Sequence, residues 1–171
     1  MKKNAFVLFI HALYIWLLGI NIGAIITAGA FVAPVIFQAY TFLPDLGITN
    51  FDSGILMTQI FLKINTLLNF SAIIILIYEL LMFNFRNKKD FFSLLLNGII
   101  VYLIFTFTFF YTPKIIEAQE QGAASVATPE FASIHHQSEY VFQFLLILLS
   151  INLVWRVIVL YKNIQTKAKN K

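Results

Sequence analysis

Residues 5–39, AFVLFIHALYIWLLGINIGAIITAGAFVAPVIFQA, contain no Asp, Glu, Lys or Arg. A bilayer's hydrocarbon core takes roughly 20 apolar residues to cross at about 1.5 Å of helical rise per residue. The run therefore predicts a spanning helix with an extension beyond the bilayer, and it is too long for a signal peptide, whose apolar region is about 7–15 residues. The whole chain shares this character. Of its 171 residues, 60% are apolar and 12% charged, and the mean hydropathy is +0.82, against about 25% charged residues in ordinary globular domains. So little charge cannot cover a soluble surface. The absence of cysteine excludes disulfides, thiolate nucleophiles and cysteine-ligated metal centres.

Three further apolar runs follow. A loop from about Tyr40 to Asp52, with Pro44, Asp45 and Gly47, leads to helix two over about 53–85, where Asp52 or Ser53 is the expected N-cap. The short basic segment Arg86-Asn87-Lys88-Lys89-Asp90 precedes helix three over about 91–112, which Pro113 is expected to end. Lys114 to Ala127 is polar with a net negative charge and suits a short surface helix. Thr128-Pro129-Glu130 then reads as cap, first-turn proline and dipole-matched acid for helix four, about 129–161, and residues 162–171 form a basic tail.

Basic residues orient such a chain because cytoplasmic loops carry an excess of them. Lys2, Lys3, Arg86, Lys88, Lys89, Arg156, Lys162, Lys167, Lys169 and Lys171 fall on one side, Lys114 on the other, and Lys63 within helix two. The expected fold is thus an all-α membrane protein, a single domain over residues 1–171, built as an antiparallel bundle of four transmembrane helices with both termini cytoplasmic. A multi-pass position in a cell membrane, by expectation a bacterial inner membrane, goes with it. The pI of 9.3 comes from charges at the ends of apolar runs, where anionic headgroups attract them. The bilayer is the expected partner and nucleic acid is not.

Small residues on helix one, Gly19, Gly23, Gly29 and the neighbouring alanines up to Pro34, predict close helix packing within the bundle, with homo-oligomerisation, as a homodimer, or a cofactor pressed against the glycine face as the alternatives. Ionisable residues in apolar runs are costly unless paired or hydrated. On helix four, Glu139, Ser150, Gln143 and His136 lie about 40°, 60°, 80° and 100° from His135, a single stripe expected to face the interior. Lys63 and Glu139 each fall roughly 12 Å from the outer face, so an ion pair between them is expected. Two readings stand: a structural pair, or an outward-facing polar cavity of Lys63, His135, His136, Glu139 and Gln143 that takes a solute, a metal or a proton. His135 and Glu139 at i,i+4 offer two metal ligands and no third is evident. A second group, His11, Glu79, Asn97, Asn152 and Arg156, gathers toward the inner side as a structural and snorkelling cluster or a proton or ligand site. His11 and His135 or His136 lie in opposite halves, which disfavours one haem ligated by both helices.

Gly19-Ile20-Asn21-Ile22-Gly23 followed by Gly29-Ala30-Phe31-Val32-Ala33-Pro34-Val35-Ile36-Phe37 resembles the glycine-rich first helix, ending in Ala-Pro-x-x-Phe, of the transmembrane protein 205-like domain, also called domain of unknown function 4149. Gly54 followed by Phe61-Leu62-Lys63 resembles that family's second helix. Phe131-Ala132-Ser133-Ile134-His135-His136-Gln137-Ser138 is similar to its Phe-x-x-x-His-x-x-Ser start of helix four, with His136 in register if the phenylalanine is displaced by one. The resemblance implies a four-helix membrane domain without an assigned activity, distantly similar to copper-resistance protein D-like domains and a haem-dependent protoporphyrinogen oxidase family. Copper and haem are carried as alternatives on that ground alone. The chain departs from a copper site in lacking Cys and any Met-rich motif, and from the oxidase in lacking a convincing haem-ligand set. A binding or structural role in solute or metal handling is the leading expectation, with a redox-active membrane enzyme and a small transporter or channel subunit as alternatives.

Overall fold

The computed structural model describes residues 2–85 and 91–169. The basic segment 86–90 and the last two residues of the tail lie outside the described residues, as do the side chains of Lys2, Lys3, Lys167 and Lys169. Among the described residues every regular element is helical. In order these are α1 (Lys2–Ile26), a π-helical segment (Thr27–Val32), α2 (Ala33–Phe37), α3 (Ala39–Phe42), a 3₁₀ turn (Pro44–Leu46), α4 (Asn50–Phe85), α5 (Phe91–Thr106), a second π-helical segment (Phe107–Tyr111), α6 (Thr112–Glu120), α7 (Ala123–Val126) and α8 (Pro129–Lys169). Among the described residues four stretches are long and apolar enough to cross a membrane: Ala5–Phe37, Asn50–Phe83, Phe91–Glu120 and Pro129–Lys162. The chain is a multi-span membrane protein.

Helix three does not stop before Pro113 as expected but continues to Glu120. Proline lacks an N–H and its ring clashes with the carbonyl one turn earlier in an α-helix. The chain absorbs both defects by widening. The N–H of Thr112 bonds to the carbonyl of Phe107, five residues back, and the N–H of Ala33, just before Pro34, bonds to that of Ala28. Each π-helical segment thus sits directly ahead of a proline, and the helix passes through it. At the other end, α8 runs past the expected limit at Tyr161 to Lys169, because Lys, Gln and Ala are good helix formers and no Gly or Pro intervenes.

The starts of α4 and α8 are capped by threonines. Thr49 Oγ1 accepts from the N–H of Asp52 (3.2 Å) while Asp52 Oδ2 accepts from the N–H of Thr49 (2.9 Å), a reciprocal capping box. The expected caps do other work: Asp52 is the box's third-position acid, and Ser53 Oγ donates to the carbonyl of Ile36 across to α2 (3.0 Å). Thr128 Oγ1 accepts from Phe131 N–H (3.2 Å) at the start of α8.

One apolar core draws on all four spans: Tyr14, Leu18 and Ile25 from α1, Leu68, Ile75 and Tyr78 from α4, Ile100 and Ile104 from α5, and Leu145 and Leu149 from α8. Asn21 Nδ2 ties α1 to α4 by donating to Ser71 Oγ (2.9 Å). The inward face of α1 is Tyr14, Leu18, Asn21, Ile25 and Ala28, which leaves the glycines to one side. A Cβ at Gly19 would approach only Leu153 of α8 (3.9 Å), and one at Gly23 or Gly29 would meet nothing within 4 Å. Close intramolecular packing of the Gly19, Gly23, Gly29 and Pro34 face is therefore corrected: only Gly19 nears a neighbour, and Pro34 is exposed.

Candidate functional site

The end of the molecule where α4 and α8 begin holds a cavity of about 780 Å³. Its base is aromatic. Phe61, Phe107 and Phe142 form a triad with ring centroids 5.8, 5.1 and 4.9 Å apart, and Ile25, Met57 and Leu146 extend the apolar wall. Both π-helical segments border the cavity, the first through Gly29 and Ala30, the second through Phe107. Replacing a turn of α-helix by the wider π turn moves neighbouring side chains out of register, and such segments recur at functional sites. The two prolines that force them thus help shape the same space.

The rim is polar, with Gln119 of α6 and His135, Glu139 and Gln143 of α8 among its residues. Glu139 is held by its own helix: Oε2 lies 3.0 Å from His136 Nδ1 and Oε1 lies 3.4 Å from His135 Nε2, the i,i+3 and i,i+4 neighbours of one helix face. His135 Nδ1 is buried and has no hydrogen-bond partner among the described residues. His136 is 66% exposed against 40% for His135 and does not border the cavity.

Two expectations are corrected here. The polar stripe does not face the interior; the buried face of α8 is Ser138, Phe142, Leu145, Leu149, Asn152 and Arg156, and the stripe flanks it along the cavity mouth. Ser150 gives its hydroxyl to the carbonyl of Leu146 (2.8 Å). Nor does Lys63 join the group. The inward face of α4 carries Met57, Phe61, Asn65 and Leu68, and Lys63 is turned about 200° from Phe61, is exposed, and forms no ion pair among the described residues. Equal depth along two helices does not make a pair when one side chain faces away.

At the opposite end, the structure brings together Glu79, Asn97, Asn152, Arg156 and His11. Glu79 of α4 and Arg156 of α8 form an ion pair, 2% and 3% exposed. Asn97 of α5 is the hub. Its Nδ2 donates to Glu79 Oε2 (3.2 Å) and its Oδ1 accepts from Tyr14 Oη (2.8 Å) and Asn152 Nδ2 (2.7 Å). Tyr14 and Tyr78 stack with centroids 3.7 Å apart, and the Arg156 guanidinium lies 5.5 and 5.4 Å from their rings. His11 Nδ1 lies 2.5 Å from Tyr78 Oη, and Trp155 Nε1 donates to Ser93 Oγ (3.1 Å). Tyr14, Tyr78 and Ser93 were missed in the sequence because an aromatic or serine in an apolar run reads as core. The overlooked signal is their helical spacing from the polar residues: Tyr78 adjoins Glu79, and Ser93 precedes Asn97 by a turn.

Neither cluster fits a haem or copper centre. Among the described residues no group of three His, Asp or Glu side chains is arranged to hold a metal ion. His11 is engaged with Tyr78 in one cluster while His135 sits in the other, and the donors beside His135 are a single carboxylate and a second, more exposed imidazole. His135, Glu139 and His136 adjoin one another on one helix face, but among the described residues they do not form a set that could hold either metal.

Residues 16–124 match the family model described as a domain of unknown function (DUF4149). No curated protein and no solved structure matches the chain. The matched segment carries α1 from Trp16 onward, α2 to α6, both π-helical segments and much of the cavity wall, while His135 of the rim lies beyond it.

Proposed function

The chain belongs to the DUF4149 family, and from that premise we propose that it is a non-enzymatic membrane protein that binds an amphiphilic solute in the cavity at the start of α4 and α8. One observation carries the reading: an apolar space of about 780 Å³ floored by three phenylalanines opens beside His135, Glu139 and Gln143. That volume lies within the roughly 300–1,000 Å³ of small-molecule sites, which pair apolar walls with a few converging polar groups. The apolar body of the ligand lies against Phe61, Phe107 and Phe142. Its head donates hydrogen bonds or carries positive charge, because Glu139 is the acid of the rim, and His135 Nδ1 is a buried ring nitrogen without a partner.

The wider setting belongs to the same proposal. The four spans form an antiparallel bundle in a cell membrane, a bacterial inner membrane by the sequence expectation, with both termini cytoplasmic. The excess of basic residues at the ends of α1, α4 and α8 supports that orientation even with the buried Arg156 left out, and it turns the cavity mouth outward. The uncovered Gly19 and Gly23 face of α1 favours self-association through close helix contact.

Titrating a fluorescent long-chain alkylammonium into protein in lipid nanodiscs tests the reading. Saturable binding is expected for the natural chain, with loss in Ala33→Trp, which fills the cavity. Glu139→Gln is expected to weaken binding roughly tenfold or more, the order of one charge-assisted hydrogen bond. Unchanged binding in a folded Ala33→Trp variant would sink the proposal.

A further inference from the structure

A second concavity, about 570 Å³, lies between α4 and the α5 to α6 helix, with Thr112 in the wall it shares with the amphiphile cavity. Its walls are unusually rich in oxygen for a membrane interior, with Asn65, Asn69, Thr108 and Thr112 on them and Glu117 and Glu120 toward one end. Part of that polarity is structural. Asn65 Nδ2 donates to Thr112 Oγ1 (2.9 Å), which donates to the carbonyl of Phe107 (3.0 Å), stitching α4 to the second π-helical segment.

The remainder has no such account. Asn65 Oδ1, Asn69 Oδ1 and Thr108 Oγ1 are buried and have no hydrogen-bond partner among the described residues, although Asn65 is 4% and Thr108 8% exposed. Buried polar atoms are costly without a partner, the more so at bilayer depth. Pro113, on the same wall, interrupts the helix at this level, since it has no N–H to give. Helices interrupted in this way present backbone and side-chain oxygens to cations in membrane proteins.

We propose that this groove binds an alkali-metal cation, Na⁺ or K⁺, through Asn65 Oδ1, Asn69 Oδ1 and Thr108 Oγ1. The chemistry selects the class. The unmet atoms are neutral oxygens, which replace the hydration shell of a monovalent ion, whereas Mg²⁺ and Ca²⁺ recruit carboxylates into their first shell. Glu117 and Glu120 supply negative potential along the groove, which raises the local cation concentration.

Thermal unfolding of the detergent-purified full chain tests this, with NaCl, KCl and choline chloride compared at equal ionic strength. A saturable rise in Tm of a few degrees is expected in one alkali salt over choline, since a ligand that binds only the folded state stabilises it by mass action. Asn69→Leu and Thr108→Val should abolish that difference while keeping native helical content. Thr66→Val should retain it, because the Thr66 hydroxyl already donates to the carbonyl of Leu62 (3.1 Å). Identical Tm in all three salts, or an alkali-specific rise that survives in both variants, would overturn the site. Neither outcome bears on the amphiphile cavity, whose binding assay is independent.

Discussion

Replacing Glu79 by Gln removes one charge and little else. The amide keeps an oxygen for Asn97 Nδ2 to donate to, and it fills nearly the same volume between α4 and α8. What it leaves is a guanidinium 3% exposed and without its counter-charge, and Arg156 Nε and Nη1 already lack partners among the described residues. Breaking a buried pair from one side costs about 3–5 kcal/mol, which at about 1.4 kcal/mol per decade is a shift of two to three and a half decades in the folded population. Arg156→Met should also destabilise, by removing the counter-charge beside the Glu79 carboxylate. The double variant Glu79→Gln with Arg156→Met should regain most of the loss, because it leaves neither charge buried without its counter-charge. Unfolding in mixed SDS micelles, followed by the fluorescence of Trp155 beside the network, gives the three free energies of the cycle. Single variants within about 0.5 kcal/mol of the natural chain, or losses that simply add, would show that Glu79 and Arg156 do not act as a pair.

The remaining predictions concern the corrected and proposed features. Lys63→Leu should leave stability within about 0.5 kcal/mol or raise it, as for an exposed site without a partner, and charge reversal of Lys63 with Glu139 should show no mutual rescue in the same unfolding assay. His135→Phe should weaken alkylammonium binding whereas His136→Phe should leave it within twofold, since only His135 borders the cavity; equal effects would place the head elsewhere. The chain has no cysteine, so single-cysteine variants report topology directly. In intact cells an impermeant maleimide should label Asp45→Cys and spare Gln165→Cys, and the reverse pattern would invert the proposed orientation.

The spans were legible in the sequence because length and apolarity are one-dimensional properties. Polar residues within them were legible as a set for the same reason: His11, Glu79, Asn97, Asn152 and Arg156 each interrupt an apolar run, and the structure places them in one network. Rotation about each helix axis was not legible. Lys63 and Glu139 share a depth, yet the inward face of α4 is set by Met57, Phe61 and Asn65, which turns Lys63 away. The glycines of α1 carry a packing motif, but the face that packs is decided by Tyr14, Leu18 and Ile25. Pro34 and Pro113 were visible, yet proline alone does not say whether a helix ends or widens. Here it widens, and the two π-helical segments that result border the cavity, a feature no local reading of either run contains.

Photo-crosslinking with a long-chain alkylammonium bearing a diazirine in its tail tests the central claim most directly. After ultraviolet exposure in nanodiscs and peptide mapping, labels should concentrate at Met57, Phe61, Phe107 and Phe142 around the cavity base and disappear in Ala33→Trp. Labels spread over the lipid-facing side chains of Phe6, Phe70 and Tyr102, unchanged by that substitution, would mean that the amphiphile partitions into the bilayer and that the cavity is not a binding site.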